Sequence, residues 1–253
     1  MSNTSFRFAL TLALAAPLAL AACADEAEEA GATMAGEPVA AVAAPEGTSW
    51  SQTASRTADG GWLVGNPDAP IRLLEYGSLT CPACAAFSVQ GSEKLRTDYI
   101  DTGRVSYEFR SFMIHGAPDV LMSRLLECAA PAAAVPLADQ IWANLEPIMS
   151  TFQQNQTQAQ QAFALPPEQR FVSAAQVTGI TDFFAARGMS ADQSAMCLSD
   201  ATAVEAFAES SQKVAADAGV QSTPTFFLNG NQIEERGWQE VEAVLQRAGA
   251  RES

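Results

Sequence analysis

Basic side chains are scarce in this chain. Lys and Arg number 14 against 29 Asp and Glu, a formal charge of −15 over 253 residues. Neither a basic stripe nor a basic amphipathic helix is present, which argues against nucleic acid and against membrane attachment through surface charge. Histidine occurs once, at His115, and the five cysteines include a single short-spaced pair, Cys81 and Cys84. Four thiolates for a zinc ion would have to draw in Cys128 and Cys197, which form no second such pair, and His115 stands in no ligand pattern with them. Long apolar runs are missing too: the run from Phe8 to Leu20 is too short for a permanent transmembrane helix. No self-similar period points to a repeat array.

What the chain does have is the segment Glu75-Tyr-Gly-Ser-Leu-Thr-Cys81-Pro82-Ala83-Cys84, in which a β-like run empties into a Cys-x-x-Cys whose second residue is proline. Proline suits the first turn of a helix, where its missing N–H costs nothing, so Cys81 is expected at a helix N-terminus facing free backbone N–H groups. Those donors favour the thiolate, the species that attacks disulfides, with Cys84 one turn behind to resolve the mixed disulfide. The same motif read in isolation is half a metal site, for zinc or as a pair of soft ligands for Cu(I). The strand, proline and helix context favours the redox reading.

The N-terminus reads as an export signal. Arg7 precedes the Phe8 to Leu20 run, which ends in small residues. Leu20-Ala21-Ala22-Cys23 resembles the lipobox of bacterial lipoproteins, implying a signal peptide over 1–22 and an acylated Cys23 as lipid anchor; a plain signal peptide cut at a nearby Ala-x-Ala is the alternative. Residues 23–60 carry Asp25, Glu26, Glu28, Glu29, Glu37 and Glu46 against Arg56, with few large apolar side chains, and read as a disordered acidic tether. Residues 61–253 are long enough for one domain with its own core.

In that domain Ile71–Tyr76 and Val105–Phe109 read as strands, with a helix from Cys81 to about Tyr99 between them. Phe87, Gly91, Leu95 and Tyr99 recur every four residues and form the buried stripe, while Glu93, Lys94 and Arg96 face out. A strand-helix-strand of this size implies a parallel pair with a right-handed crossover. From about 118 to 200 the pattern is helical: Leu121, Leu125 and Cys128 share one face, and Ile141, Leu145, Ile148 and Phe152 another, with Gln153 to Gln161 read as a solvated excursion. Ser190 and Gln193 form a capping box ahead of Met196 and Cys197. Thr225 to Glu234 reads as a hairpin turning at Asn229-Gly230, and Trp238, Val241, Val244 and Leu245 mark a closing helix. The expected order is β-α-β, helices, β-β-α, an α/β fold with an inserted helical layer.

Taken together, Gly65-Asn-Pro-Asp-Ala-Pro70, the Glu75 to Cys84 block, Phe109-Arg-Ser-Phe112, the helical insertion and Ser222-Thr-Pro-Thr-Phe226 resemble the thioredoxin-fold thiol:disulfide oxidoreductases of the DsbA type, over about Leu63 to Arg247. The resemblance implies that Cys81 attacks, that Cys84 resolves, and that Pro224 follows a cis peptide bond beside the sulfurs. Thr223 would then offer its backbone to an extended substrate strand. It further implies a buried acid at Glu75 that takes the Cys84 proton, although Glu75 also fits an edge strand with its carboxylate in solvent. Some relatives carry a second disulfide in the insertion, which here would join Cys128 and Cys197; a pair of buried free thiols is the alternative. No bound cofactor is implied. The implied partners are cysteine-containing exported polypeptides and a membrane redox protein that resets the pair, and the implied location is the periplasm. Strongly oxidising members often have His between the cysteines; Ala83 in that place is expected to leave Cys81 less depressed in pKa and the protein a milder oxidant, so a reductase or isomerase role stays open. His115 reads as a turn residue before Gly116.

Overall fold

The computed structural model describes residues 36–252. The signal segment 1–22, Cys23 and residues 24–35 of the expected tether lie outside the described residues.

The centre of the fold is the strand-helix-strand unit. Strands β3 (Ile71–Gly77) and β4 (Val105–Ser111) run parallel, joined by helix α1 (Pro82–Lys94), whose end continues as a π-helical turn, Leu95–Ile100. The two-residue period of β3 puts Ile71, Leu73 and Glu75 on one face of the sheet and Leu74 and Tyr76 on the other. Strand β5 (Thr225–Leu228) pairs antiparallel with β3, and β6 (Asn231–Ile233) closes the hairpin. Its turn is the Asn-Gly expected: Asn229 and Gly230 have φ of 50° and 87°, the left-handed pair that matches strand twist.

Two further strands were not legible in the sequence. β1 (Ala54–Arg56) and β2 (Trp62–Gly65) form a hairpin that joins β4, giving a six-stranded sheet in the order β1-β2-β4-β3-β5-β6. Ala-Ser-Arg carries no apolar alternation; the hairpin is held by Trp62, fully buried, stacked on Phe109 at 5.7 Å and covered by the Arg56 guanidinium at 4.3 Å.

That hairpin and the segment before it correct the tether expectation for residues 36–60. The backbone of Gly36 donates to Arg247 O, that of Val39 to Gly249 O and that of Val42 to Thr102 O, at 2.9, 2.8 and 2.9 Å. Trp50 is buried and donates its Nε1–H to Val42 O at 2.7 Å. A segment too poor in apolar residues to build a core can still be fixed when its backbone groups find partners on an existing one.

Eight helices lie between β4 and β5: α2 (Ala117–Glu127), α3 (Pro131–Ala143), α4 (Leu145–Gln154), α5 (Gln156–Phe163), α6 (Pro167–Val177), α7 (Ile180–Ala185), α8 (Ala191–Ser199) and α9 (Ala201–Asp217). The helical region therefore ends at Asp217, not near 200. Asp200 is the N-cap of α9, accepting from Ala203 N at 3.0 Å, so the polar residue that reads as an end begins the longest helix described. The Gln-rich stretch is helical rather than excursive, burying Ala159 and Ala162 on α5. The stripe from Ile141 to Phe152 is split between two helices at Asn144, whose φ of −119° and ψ of 21° leave the helical region. The capping box of Ser190 and Gln193 is present at the start of α8.

The two faces of the sheet are covered differently. Helices α1 and α3 and the closing α10 (Trp238–Arg247) lie against the face carrying Leu73, Tyr107 and Phe109. Phe87 of α1 meets Phe226 at 4.6 Å and Trp238 at 5.9 Å, and Trp142 of α3 meets Phe109 at 5.4 Å. Gly91 is needed on the α1 stripe because a Cβ there would lie 2.2 Å from Trp238 Cδ2. On the other face Tyr76 and Phe112 pack with Ala215 and Val220 at the end of α9.

Candidate active site

Cys81 is the N-cap of α1, with extended backbone (φ −82°, ψ 120°) and Pro82 as the first helical residue. Its thiol is buried and donates to the carbonyl oxygen of Thr223 at 3.3 Å across a cis Thr223–Pro224 bond. Cys81 is pushed down to about 5: the hydrogen bond from the Cys84 thiol contributes most, followed by the Thr223 side chain and the backbone N–H groups of Cys84 and Ala83, against the opposing effect of burial. No cation is among those causes, so the helix start and its donors depress the thiol without a histidine inside the motif. Cys84, one turn on and fully buried, moves the opposite way, because burial and the hydrogen bond it gives to Cys81 hold it as a thiol. Cys81 and Cys84 are free thiols in this structure.

Beneath the pair lies Glu75, 0% exposed. Its place follows from strand parity, which sets it on the face of Ile71 and Leu73 and opposite Phe109 of β4. Tyr107 Oη donates to Glu75 Oε2 at 2.7 Å, whereas Oε1 accepts no geometrically formed hydrogen bond among the described residues. Burial pushes Glu75 up to about 8; the Tyr107 and Cys84 hydrogen bonds pull it down, and the charges of Asp139 and Cys81 push it further up. The structure thus brings Glu75 of β3 and Cys81 and Cys84 at the start of α1 together with Thr223 and Pro224 of the loop ahead of β5, Thr223 lying 142 positions from Cys81 in sequence.

The loop ahead of the motif is held by a network that sequence reading missed. Asp119 of α2 is buried; its Oδ2 accepts from Ser78 Oγ at 2.6 Å and Ile114 N at 3.1 Å, and its Oδ1 from Leu79 N at 3.1 Å. Burial raises Asp119, opposed by the Ser78 hydroxyl and those backbone donors. Trp142 Nε1–H donates to Ser78 O at 3.0 Å. His115 lies in the turn expected of it, but its Nδ1 also lies 2.9 Å from Thr80 Oγ1 and 3.3 Å from Ser78 Oγ, tying the turn to the residue before Cys81. No local pattern marks Asp119, Trp142 or Tyr107; their roles arise from contacts across the fold.

Cys128, at the C-terminus of α2, and Cys197, on α8, are joined by a disulfide within the helical layer. They are not part of the Cys81 constellation. Among the described residues no cluster of three or more His, Cys, Asp or Glu side chains is placed to hold a metal ion, and no helix is long and apolar enough to cross a membrane.

A family model described as Thioredoxin matches residues 57–247. A putative protein-disulfide oxidoreductase of Rickettsia bellii is 25% identical over 186 residues, 74% of this chain and 63% of that protein. Disulfide bond formation protein D of Bacillus subtilis is 32% identical over 80 residues, 32% of this chain and 34% of that protein. The chain therefore spans less than two thirds of the length of these curated relatives. Among solved structures, a protein-disulfide isomerase from Novosphingobium aromaticivorans superposes with a TM-score of 0.67 at 25% identity, covering 76% of this chain and 99% of that one. Wolbachia pipientis alpha-DsbA1, at a TM-score of 0.56 and 19% identity over 74% of this chain and 89% of that one, shares the fold.

Proposed function

We propose, from the premise that this chain belongs to the thioredoxin family and carries its fold with an inserted helical layer, that it is an exported thiol:disulfide oxidoreductase acting on cysteine-containing polypeptides. The observation that carries the reading is the opposed state of two adjacent thiols: Cys81 down at about 5 and Cys84 raised, above a buried acid. Only the outer sulfur is then nucleophilic or a good leaving group, and that asymmetry is what ordered disulfide exchange requires.

The direction favoured is oxidation. A stabilised Cys81 thiolate stabilises the reduced protein, which makes its disulfide the stronger oxidant. A client thiolate attacks Cys81 Sγ of the Cys81–Cys84 disulfide, Cys84 leaves, and Glu75, protonated below about 8, supplies its proton. A second client thiolate then attacks the client sulfur of the mixed disulfide, releasing Cys81 as thiolate and the client as a disulfide. The backbone beside the Thr223–Pro224 bond lies against Cys81 Sγ, where an extended client segment would pair with it. A membrane redox protein would take the two electrons and restore the Cys81–Cys84 disulfide.

Export rests on the leader read in residues 1–22, and membrane attachment on acylation of Cys23; the segment from 24 to about 35 is then the link to the domain, since residues from 36 onward are fixed to it. Lipid labelling abolished by Cys23→Ser would support the anchor, and a mature protein starting at another, unmodified residue would remove it.

The assignment of roles is tested by trapping. Cys84→Ala, mixed with disulfide-bonded clients, is expected to accumulate mixed disulfides through Cys81, while Cys81→Ala traps none. Equal trapping by the two variants overturns the assignment.

A further inference from the structure

Cys84 exchanges a proton each time it leaves or attacks a sulfur, and the acid beneath it has no exposed surface. A proton path between Glu75 and solvent therefore has to exist inside the fold if the reaction turns over. One line of polar groups leads outward. Tyr107 Oη holds Glu75 Oε2 at 2.7 Å, and Tyr107 also lines a cavity of about 40 Å³ between the sheet, α1 and α3. Most of the cavity wall is apolar, from Val64, Phe87, Leu95 and Ile100, and its polar lining besides Tyr107 is Ser51, Ser88, Ser92, Arg96 and Asp139. A space of that size holds a water, which needs about 10–15 Å³ and two or more polar partners. Asp139, partly buried, accepts from Ser88 Oγ at 2.7 Å and also lines an outer groove of about 560 Å³, together with Ser92, Arg96 and Pro136, that opens to solvent.

We infer that Asp139, on the inserted helix α3, and Tyr107 form the proton relay that joins Glu75 to solvent. The inference rests on the exchange chemistry proposed above. During client oxidation the Cys84 thiolate takes the proton of Glu75. Tyr107 then passes its hydroxyl proton to Glu75 Oε2 and receives one through the cavity from Asp139, which recovers its own from the outer groove. When Cys84 attacks instead, the same proton travels outward. The balance is one proton per Cys84 sulfur freed, with no electron carried along the relay.

Protonation levels fit the direction of transfer. Burial raises Asp139 to about 6, with the Ser88 hydroxyl and the Arg96 guanidinium opposing, so it exchanges protons readily near neutrality and lies below Glu75 at about 8. The groups lining the cavity or the groove with Asp139 are Ser88, Ser92, Glu93 and Lys94 of α1, Arg96 of the π turn, Tyr107 of β4 and, behind Tyr107, Glu75; Lys94 and Arg96 are the cations among them.

The test uses the full chain and a peptide with two cysteines, with glutathione disulfide in excess as oxidant, following from pH 5 to 9 the second and later turnovers, the step in which Glu75 has to be reloaded with a proton. Asp139→Asn and Tyr107→Phe are each expected to slow this step by about tenfold or more, below the 10²–10⁴-fold span of a direct acid or base because other water paths compete. Asp139→Glu should keep most of the rate, and formate should restore Asp139→Ala in proportion to its concentration. Alkylation of Cys81 in the reduced protein, which moves no proton to or from Cys84, should keep its pH midpoint in all variants. Rates equal to wild type in both Asp139→Asn and Tyr107→Phe overturn the relay, as does a slowing that formate and Glu fail to relieve. If the unaltered chain does not oxidise the peptide at all, the functional reading itself falls and the relay with it.

Discussion

Replacing Glu75 by Gln isolates the cost of burying an acid beneath the thiols. The amide keeps a carbonyl oxygen for the Tyr107 hydroxyl, so the 2.7 Å hydrogen bond has an equivalent in the variant. In the wild type the folded state holds the Glu75 proton up to about 8, whereas an unfolded carboxyl releases it near its ordinary 4.5. Between those values the folded state binds more protons than the unfolded one, so stability is highest at or below 4.5 and falls as pH rises to about 8. At about 1.4 kcal/mol for each tenfold in proton affinity, the full loss is of order 5 kcal/mol. Glu75→Gln should therefore differ little from wild type at pH 5 and be more stable by up to about that amount at pH 9. Urea unfolding of both reduced proteins at pH 5, 7 and 9 measures the difference, in which titration of Cys81 largely cancels. A stability difference that does not change with pH would refute the buried, proton-holding acid. The same variant should slow formation of the mixed disulfide, since no acid would remain to meet the Cys84 thiolate.

Two other expectations follow from the site and its frame. The rate of alkylation of Cys81 by iodoacetamide should fall as pH drops through about 5 and be level from about 6 upward; a midpoint near the ordinary thiol value of about 8.5 would contradict the helix-start assignment. Gly91→Ala gains roughly 1 kcal/mol of helix propensity but sets a Cβ 2.2 Å from a Trp238 ring held between Phe87 and Tyr99, an overpacking worth about 1–3 kcal/mol, so the melting temperature should fall rather than rise.

The features legible in the sequence are those written locally. Pro82 after Cys81, the four-residue spacing from Phe87 to Tyr99, the Ser190 and Gln193 capping box and Asn229-Gly230 each specify their own few residues, and each forms the element its pattern implies. Glu75 lay between two readings because strand alternation alone does not say which face is covered; α1 and α3 supply the cover. Other features were invisible for a related reason. β1 owes its place to Trp62 and Arg56, and residues 36–42 to carbonyls of Thr102, Arg247 and Gly249, the farthest of them 211 positions away (Gly36 to Arg247). Tyr107, Asp119, Asp139 and Trp142 look like ordinary strand or helix residues, and only the register of β4 beside β3, the seating of α3 on the sheet and the placing of α2 against the loop ahead of Cys81 give them work at the site.

In the proposed function Cys81 and Cys84 form one two-electron couple that donates disulfides. Poising the protein in glutathione buffers of graded ratio and counting alkylated cysteines by mass tests it directly. Cys81 and Cys84 are expected to oxidise together and reversibly, at a potential well above the roughly −270 mV of thioredoxin, while Cys128 and Cys197 stay paired throughout. A pair that fails to cycle, or that cycles at or below thioredoxin's value, would contradict it.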